Sequence, residues 1–271
     1  MEQRREELVV LGTGNATAIH CYNTCFAIRD GAHTLLVDAG GGNGILLQLE
    51  RAGIPFADIH DVFLTHRHSD HVLGAVWLIR MAAQGLDNGK YSGQLRFYGH
   101  AELMECVETL ARCTLQGGQL KHIGQDILLI PVSDGEKREV AGWQMQFFDI
   151  HSTKTKQFGF SLTLHDGGKL TCLGDEPFNE ANAAQVAGSQ WLLSEAFCLY
   201  SQAERFRPYE KHHSTVRDAC LLAERFSVPN VVLWHTEETQ LSRRKALYTA
   251  EGAEVYHGAL YVPEDLEVIR L

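Results

Sequence analysis

The stretch Thr65-His66-Arg67-His68-Ser69-Asp70-His71 sets three imidazoles and a carboxylate within six consecutive positions. It directly follows Asp61-Val62-Phe63-Leu64, whose apolar run reads as a buried strand. Neutral imidazole and carboxylate are the ligands preferred by a borderline divalent ion such as zinc. A loop leaving a strand end can fold four such side chains inward, which a continuous helix cannot. The stretch therefore reads as a metal-binding turn, and the chain must form a sheet to carry it. Behind it, Val72-Leu73 with Val76-Trp77 and Ile79 has helical spacing, so the last histidine of the turn stands at a helix start.

The 271 residues are 45% hydrophobic, enough for a sizeable core, and no Pro-rich, Ser-rich or single-sign tract marks a linker. One domain spanning residues 1–271 is expected. The longest apolar runs are strand-sized, well below the ~20 residues of a membrane span. The start, Met1 to Glu7, carries charges of both signs and lacks the apolar segment of a secretory signal. A soluble, cytoplasmic protein is expected, with no membrane partner. The seven cysteines are odd in number and scattered, so reduced thiols are expected rather than a disulfide framework. A formal net charge of -10 opposes non-specific binding of long nucleic acid, but a small phosphorylated molecule samples only the local field.

Along the chain, Leu8 to Leu11 reads as a strand ending in Gly12-Thr13-Gly14-Asn15. Thr24 to Ile28 and Thr34 to Val37 form a hairpin through Arg29-Asp30-Gly31, and the second strand delivers Asp38 beside Gly40-Gly41-Gly42. An Asp in that place suits the task of fixing a ligand imidazole's tautomer. A helix through Ile45 to Leu49 and a crossover unit of strand Leu95 to Tyr98 with helix Ala101 to Arg112 are expected. Met145 to Ile150, Phe158 to Leu162, Lys169 to Leu173 and Val231 to Trp234 supply further strands. His100 and His122 stand alone at turns and read as solvated surface residues.

The spacing His-x-His-x-Asp-His resembles the signature of the metallo-β-lactamase superfamily, and the likeness extends along nearly the whole chain. The opening Leu11-Gly12-Thr13-Gly14 is similar to that of the ribonuclease Z branch. Ser194-Glu195-Ala196-Phe197 is similar to that branch's Glu-Ala-Thr-Phe element with the Thr missing, and His213-Ser214-Thr215 to its His-Ser-Thr element. The resemblance implies an α/β fold, a four-layer αβ/βα sandwich with the site along one edge of two sheets. It implies two divalent metal ions, zinc in the first place with manganese or iron as alternatives. His66 and His68 would serve the first, with His151 after its strand. Asp70 and His71 would serve the second, with His235, and Asp175 would bridge the two.

By the same resemblance His213 is a proton donor near the scissile phosphate and Glu195 orients it, with His212 as the competing histidine. Asp70 belongs with them at the catalytic centre. The implied activity is phosphodiester hydrolysis by a metal-bridged hydroxide, on a small phosphodiester or short nucleic-acid substrate, with a homodimer as the expected assembly. Two departures argue against transfer RNA. Only 23 residues, 152–174, separate His151 from Asp175, where the branch commonly carries a long RNA-binding arm, and Thr236-Glu237-Glu238 follows the last histidine where Ser and Arg-Tyr are usual. Arg205, Arg207 and Lys211, or Arg243, Arg244 and Lys245, are candidates for a phosphate clamp or for a solvated loop. The rival activity is hydrolysis of a lactone, thioester, sulfate ester or β-lactam on the same ligand set. A redox di-iron role is disfavoured by His68, because relatives of that kind usually place a carboxylate there.

Overall fold

The computed structural model describes residues 6–271. Of the charged lead read from the sequence, residues 1–5 lie outside the described residues. Alternating burial generates two seven-stranded sheets. The first contains β1 (Glu7–Gly12), β2 (Cys25–Arg29), β3 (Thr34–Val37), β4 (Asp61–Phe63), β5 (Leu95–Gly99), β6 (Ile127–Pro131) and, from the far end of the chain, β14 (Val268–Arg270), in the order β14-β1-β2-β3-β4-β5-β6. The second contains β7 (Lys137–Val140), β8 (Trp143–Asp149), β9 (Phe158–Thr163), β10 (Lys169–Cys172), β11 (Trp191–Glu195), β12 (Asn230–Trp234) and β13 (Ala259–Tyr261), in the order β13-β12-β11-β10-β9-β8-β7. Each sheet is antiparallel on one side and parallel on the other: β3 to β6 are parallel in the first, β10 to β13 in the second.

The period of two along a strand explains the layering. In β1, Leu8 and Val10 enter the cluster between the sheets, with Phe26, Phe63, Phe147, Phe160 and Trp234, while Val9 and Leu11 face the other way. That other face is covered by α1 (Gly44–Arg51), α2 (Ser69–Asn88) and α3 (Ala101–Thr114). The outer face of the second sheet is covered by α4 (Val216–Arg225) and α5 (Leu241–Gly252), through Ala219, Cys220, Ala223 and Tyr248. Four layers result, an αβ/βα sandwich whose strands are apolar on both faces, as sheets covered on both sides require. Trp234 at the end of β12 stacks on Phe26 across the inner core, centroids 4.5 Å apart.

This architecture collects the carboxyl ends of β3, β4, β8, β10, β11 and β12 along one edge, where an open α/β sheet offers its side chains to a ligand. Main-chain bonds hold the two sheets in register there. Phe158 N donates to Thr65 O at 3.0 Å, and Thr236 N to Thr13 O at 3.0 Å. β9 and β10 with their connections take up the interval between His151 and Asp175. Among the described residues no helix is long and apolar enough to cross a membrane.

Two expectations need correction. His100 and His122 are buried rather than solvated, at 1% and 8% exposure. The His100 ring caps α3 by accepting from Leu103 N at 3.3 Å while its Nε2 lies 3.0 Å from Lys156 O, and His122 sits between Asp126 and Asp87. Each imidazole finds polar partners at both nitrogens, which is what makes burial of a turn histidine affordable.

Candidate metal centre

Each predicted residue except His213 lies at or follows a strand end or falls in the first turn of α2; His213 is on the loop before α4. After β4, Leu64 is the last core residue and Thr65 to His68 cross the edge. His68 is the extended residue ahead of α2 (φ -63°, ψ 149°), so Asp70 and His71 fall in the helix's first turn. A carboxylate is favoured at that end by the helix dipole. The turn is drawn tight because Gly74 lies against the chain after β3: Gly74 N donates to Gly40 O at 3.0 Å and Ala39 N to His71 O at 2.9 Å. Asp38, His151 and His235, at the ends of β3, β8 and β12, share the left-handed backbone conformation, φ 57°, 58° and 58°. Non-glycine residues hold that conformation at a cost of about 1–3 kcal/mol, and only where the surroundings fix it.

The side chains converge. His66 Nε2 lies 3.6 Å from Asp175 Oδ2, His71 Nε2 3.7 Å from the same oxygen and 3.3 Å from Asp70 Oδ2, and His235 Nε2 3.5 Å from both Asp70 Oδ2 and Asp175 Oδ2. His68 Nδ1 is 2.9 Å from His66 Nε2. His66, Asp70, His71, Asp175 and His235 are each at least 96% buried. Yet His71 Nε2, Asp175 Oδ1 and both nitrogens of His235 have no hydrogen-bond partner. Buried polar atoms without partners cost roughly 1–3 kcal/mol each, and several aimed at one point are explained by a cation between them. Among the described residues three groupings of three could each hold an ion: His66, His71 and Asp175; Asp70, His71 and His235; and Glu195, His213 and His235. The residues present thus fit a divalent metal. His151 belongs to none of the three; it is exposed at the end of β8, its amide bonded to Asp149 Oδ1 at 2.7 Å.

Burial works against the Asp70 and Asp175 carboxylates, but surrounding imidazoles hold both well below the usual carboxylate range: His71 and His235 for Asp70, His66, His235 and His71 for Asp175. Burial drives His66 well below the ordinary imidazole value, whereas His71, also disfavoured by burial as a cation, is held well above it by Asp38 and Asp70. Behind the clustered side chains Asp38 does more than the sequence indicated. Its Oδ2 accepts from the Thr65 hydroxyl at 2.8 Å and lies 2.7 Å from His71 Nδ1, and its Oδ1 accepts from Thr65 N at 2.8 Å. The Thr65 oxygen is in turn 2.9 Å from His66 Nδ1. One carboxylate therefore orients His71 directly and His66 through a hydroxyl, presenting the Nε2 of both rings to the centre.

A second constellation adjoins the first. β11 ends in Glu195, whose Oε1 accepts from both the amide and the hydroxyl of Ser214, the latter at 2.7 Å. This anchors the loop that carries His213, whose Nδ1 faces Glu195 Oε2 at 3.6 Å. The His213 ring is stacked on Phe197 at 5.0 Å and stands 5.1 Å from the His235 ring. Thr215, not Ser214, caps α4, in a reciprocal arrangement with Asp218. His212 turns away, its Nδ1 2.7 Å from the Thr153 hydroxyl.

A family profile described as "Anti-Pycsar protein Apyc1" matches residues 6–246. The chain belongs to the Apyc1 family. The match takes in every residue of both constellations. Among curated relatives, this Apyc1-family chain is similar to ribonuclease Z of Mycobacterium bovis (strain BCG / Pasteur 1173P2), 24% identical over 284 residues and covering 98% of each chain. In fold it is similar to the metallo-β-lactamase fold protein YhfI from Bacillus subtilis (TM-score 0.78, 17% identity, 98% of this chain and 100% of that one). It is likewise similar to the short form of human tRNase Z (TM-score 0.71, 19% identity, 97% and 98%). The metallo-β-lactamase fold and the ribonuclease Z-like branch read from the motifs are thereby supported.

Thr65 and Phe197 had no role of their own assigned in the sequence. Thr65 was legible only as the residue ahead of the first histidine, and no spacing rule marks a hydroxyl that links two remote side chains.

Proposed function

We propose that this Apyc1-family chain is a dinuclear metallohydrolase that cleaves a small phosphodiester. The observation that carries the reading is the convergence of partnerless, buried Nε2 and carboxylate atoms from both sheets beside an imidazole and carboxylate pair. The proposed ligands are His66, His68 and His151 for one ion and Asp70, His71 and His235 for the other, with Asp175 shared. Zinc is the proposed metal. When bound, such ions supply an acidified water near neutral pH and neutralise charge on the phosphate oxygens. The chain's own residues do the rest. Asp38 and Thr65 hold the rings in one tautomer, and burial excludes bulk water from His66 and Asp175. His213, backed by Glu195 and held flat by Phe197, is placed to give a proton to the departing alkoxide.

Ribonuclease Z and tRNase Z among the similar proteins support a phosphodiester rather than a carboxylic ester or lactam. The net charge of -10 and the strands that occupy the interval after His151 support a small substrate over a long RNA. The assay is turnover of a bis-arylphosphate, a cyclic nucleotide, a short RNA, a lactone and a β-lactam by zinc-loaded protein. His213→Ala should lose on the order of 10²- to 10⁴-fold in phosphodiester turnover with metal content unchanged. Equal turnover by variant and wild type would remove His213 from the chemistry. Turnover of the carboxylic substrates alone would favour the rival activity.

A further inference from the structure

Of the expected phosphate clamps, Arg244 is buried on Thr236 Oγ1 and Pro263 O, Lys245 pairs with Glu267 and Arg207 faces Glu210, while Lys211 lies over Phe197, the ring stacked on His213. Another cation stands on a loop wrapped around Glu176, the residue after Asp175. The loop 152–157, between β8 and β9, is folded around Glu176, the neighbour of Asp175. The Ser152 hydroxyl donates to Glu176 Oε1, Thr153 N to Oε2 at 3.2 Å and Gln157 Nε2 to Oε1 at 3.4 Å. Lys154 N and Thr155 N close the turn on Ser152 Oγ at 3.2 and 3.3 Å. Its flanks are pinned to both halves of the site: Thr155 Oγ1 accepts from Arg67 Nε at 2.9 Å, between His66 and His68, and Thr153 Oγ1 meets His212, beside His213.

Lys154 is at the tip of this pinned loop, its side chain 21% exposed. Its Nζ lies 3.9 Å from Glu176 Oε1, beyond hydrogen-bond length, and that carboxylate already has three donors. A lysine kept only to neutralise Glu176 would close to about 2.7–2.9 Å. Here its N–H groups are left for another acceptor, and the ties of its loop to Arg67 and His212 set that loop beside both constellations.

We propose that Lys154 is a substrate-binding residue whose ammonium group takes a non-bridging oxygen of the phosphoryl group at the mouth of the site. The proposal rests on the phosphodiester reading, and it applies equally to the phosphomonoester product, whose extra charge it favours. No bond forms or breaks at Lys154; it lends a point charge.

Inorganic phosphate is the probe, titrated calorimetrically into zinc-loaded protein. K154M should weaken phosphate binding by about 10- to 100-fold, the range for losing a hydrogen bond to a charged group, and K154R should keep most of it. K156M removes the same charge from the same loop, but Lys156 Nζ lies 5.6 Å from the Phe158 ring centroid, and its affinity should stay within about twofold of wild type. KM for a bis-arylphosphate should rise in K154M with an unshifted melting temperature, the readout a purely structural lysine would not give. K154Q stands in if K154M loses its native melting transition. Wild-type affinity in K154M, or equal losses in K154M and K156M, would overturn the assignment. Wild-type protein inert towards every phosphodiester, with phosphate binding still lost in K154M, would sink the proposed function and leave Lys154 as an anion-binding residue.

Discussion

At the residue scale the account turns on Asp38 and Thr65, neither of which touches a reacting atom. A carboxylate 2.7 Å from the His71 ring and a hydroxyl 2.9 Å from the His66 ring fix which nitrogen each ring offers. Thr65→Val keeps the shape and removes the link, and it should weaken zinc binding by about 10- to 100-fold, with Thr65→Ser restoring most of the affinity. Competition against a chromogenic chelator measures this. Unchanged affinity in Thr65→Val would show that the rings are oriented by the strand ends alone. The ligand candidates themselves were legible, because spacing within a turn and polar residues after apolar runs are local patterns. The bond from Asp38 through Thr65 to His66 was not, because it joins the ends of two different strands.

Among the elements, α2 decides the geometry, since its first turn carries Asp70 and His71 and its second packs on the chain beyond β3. A side chain built on Gly74 would place its Cβ 1.9 Å from Ala39 O, a backbone atom that cannot swing aside. Gly74→Ala should therefore cost about 1–3 kcal/mol. That corresponds to a fall in melting temperature of about 2–4 °C per kcal/mol for a chain of this size. A thermal melt matching wild type would contradict the close approach. α2 was legible from its apolar period and the strand before it, and so were β8, β10 and β12, whose runs lead into candidate ligands, and β9, from its apolar run. β7, β13 and β14 were not: Lys137–Val140 is polar, Ala259–Tyr261 and Val268–Arg270 are three residues long, and each is a strand because a neighbour's edge is there to pair with. His100 and His122 were misread for a related reason, as their burial depends on partners from other segments.

For the whole molecule, the division of the site between two sheets matters most. His66, Asp70 and His71 follow the first sheet, Asp175 and His235 the second, so ions held between them would also clamp the two halves of the sandwich together. Binding to the folded chain alone adds stability by mass action, about 2.7 kcal/mol at a free metal concentration 100 times Kd. Chelation should therefore lower the melting temperature by roughly 5–10 °C, and zinc should restore it. Identical melts with and without chelator would mean that the cluster holds no ion.

The most direct measurement is to titrate zinc into metal-free protein while following turnover of a bis-arylphosphate. The account predicts negligible turnover without metal and a rise to a plateau at two equivalents per chain, abolished together with zinc binding by substituting Asp175. Full turnover by the metal-free protein, or saturated zinc binding with no phosphodiester cleaved, would contradict it.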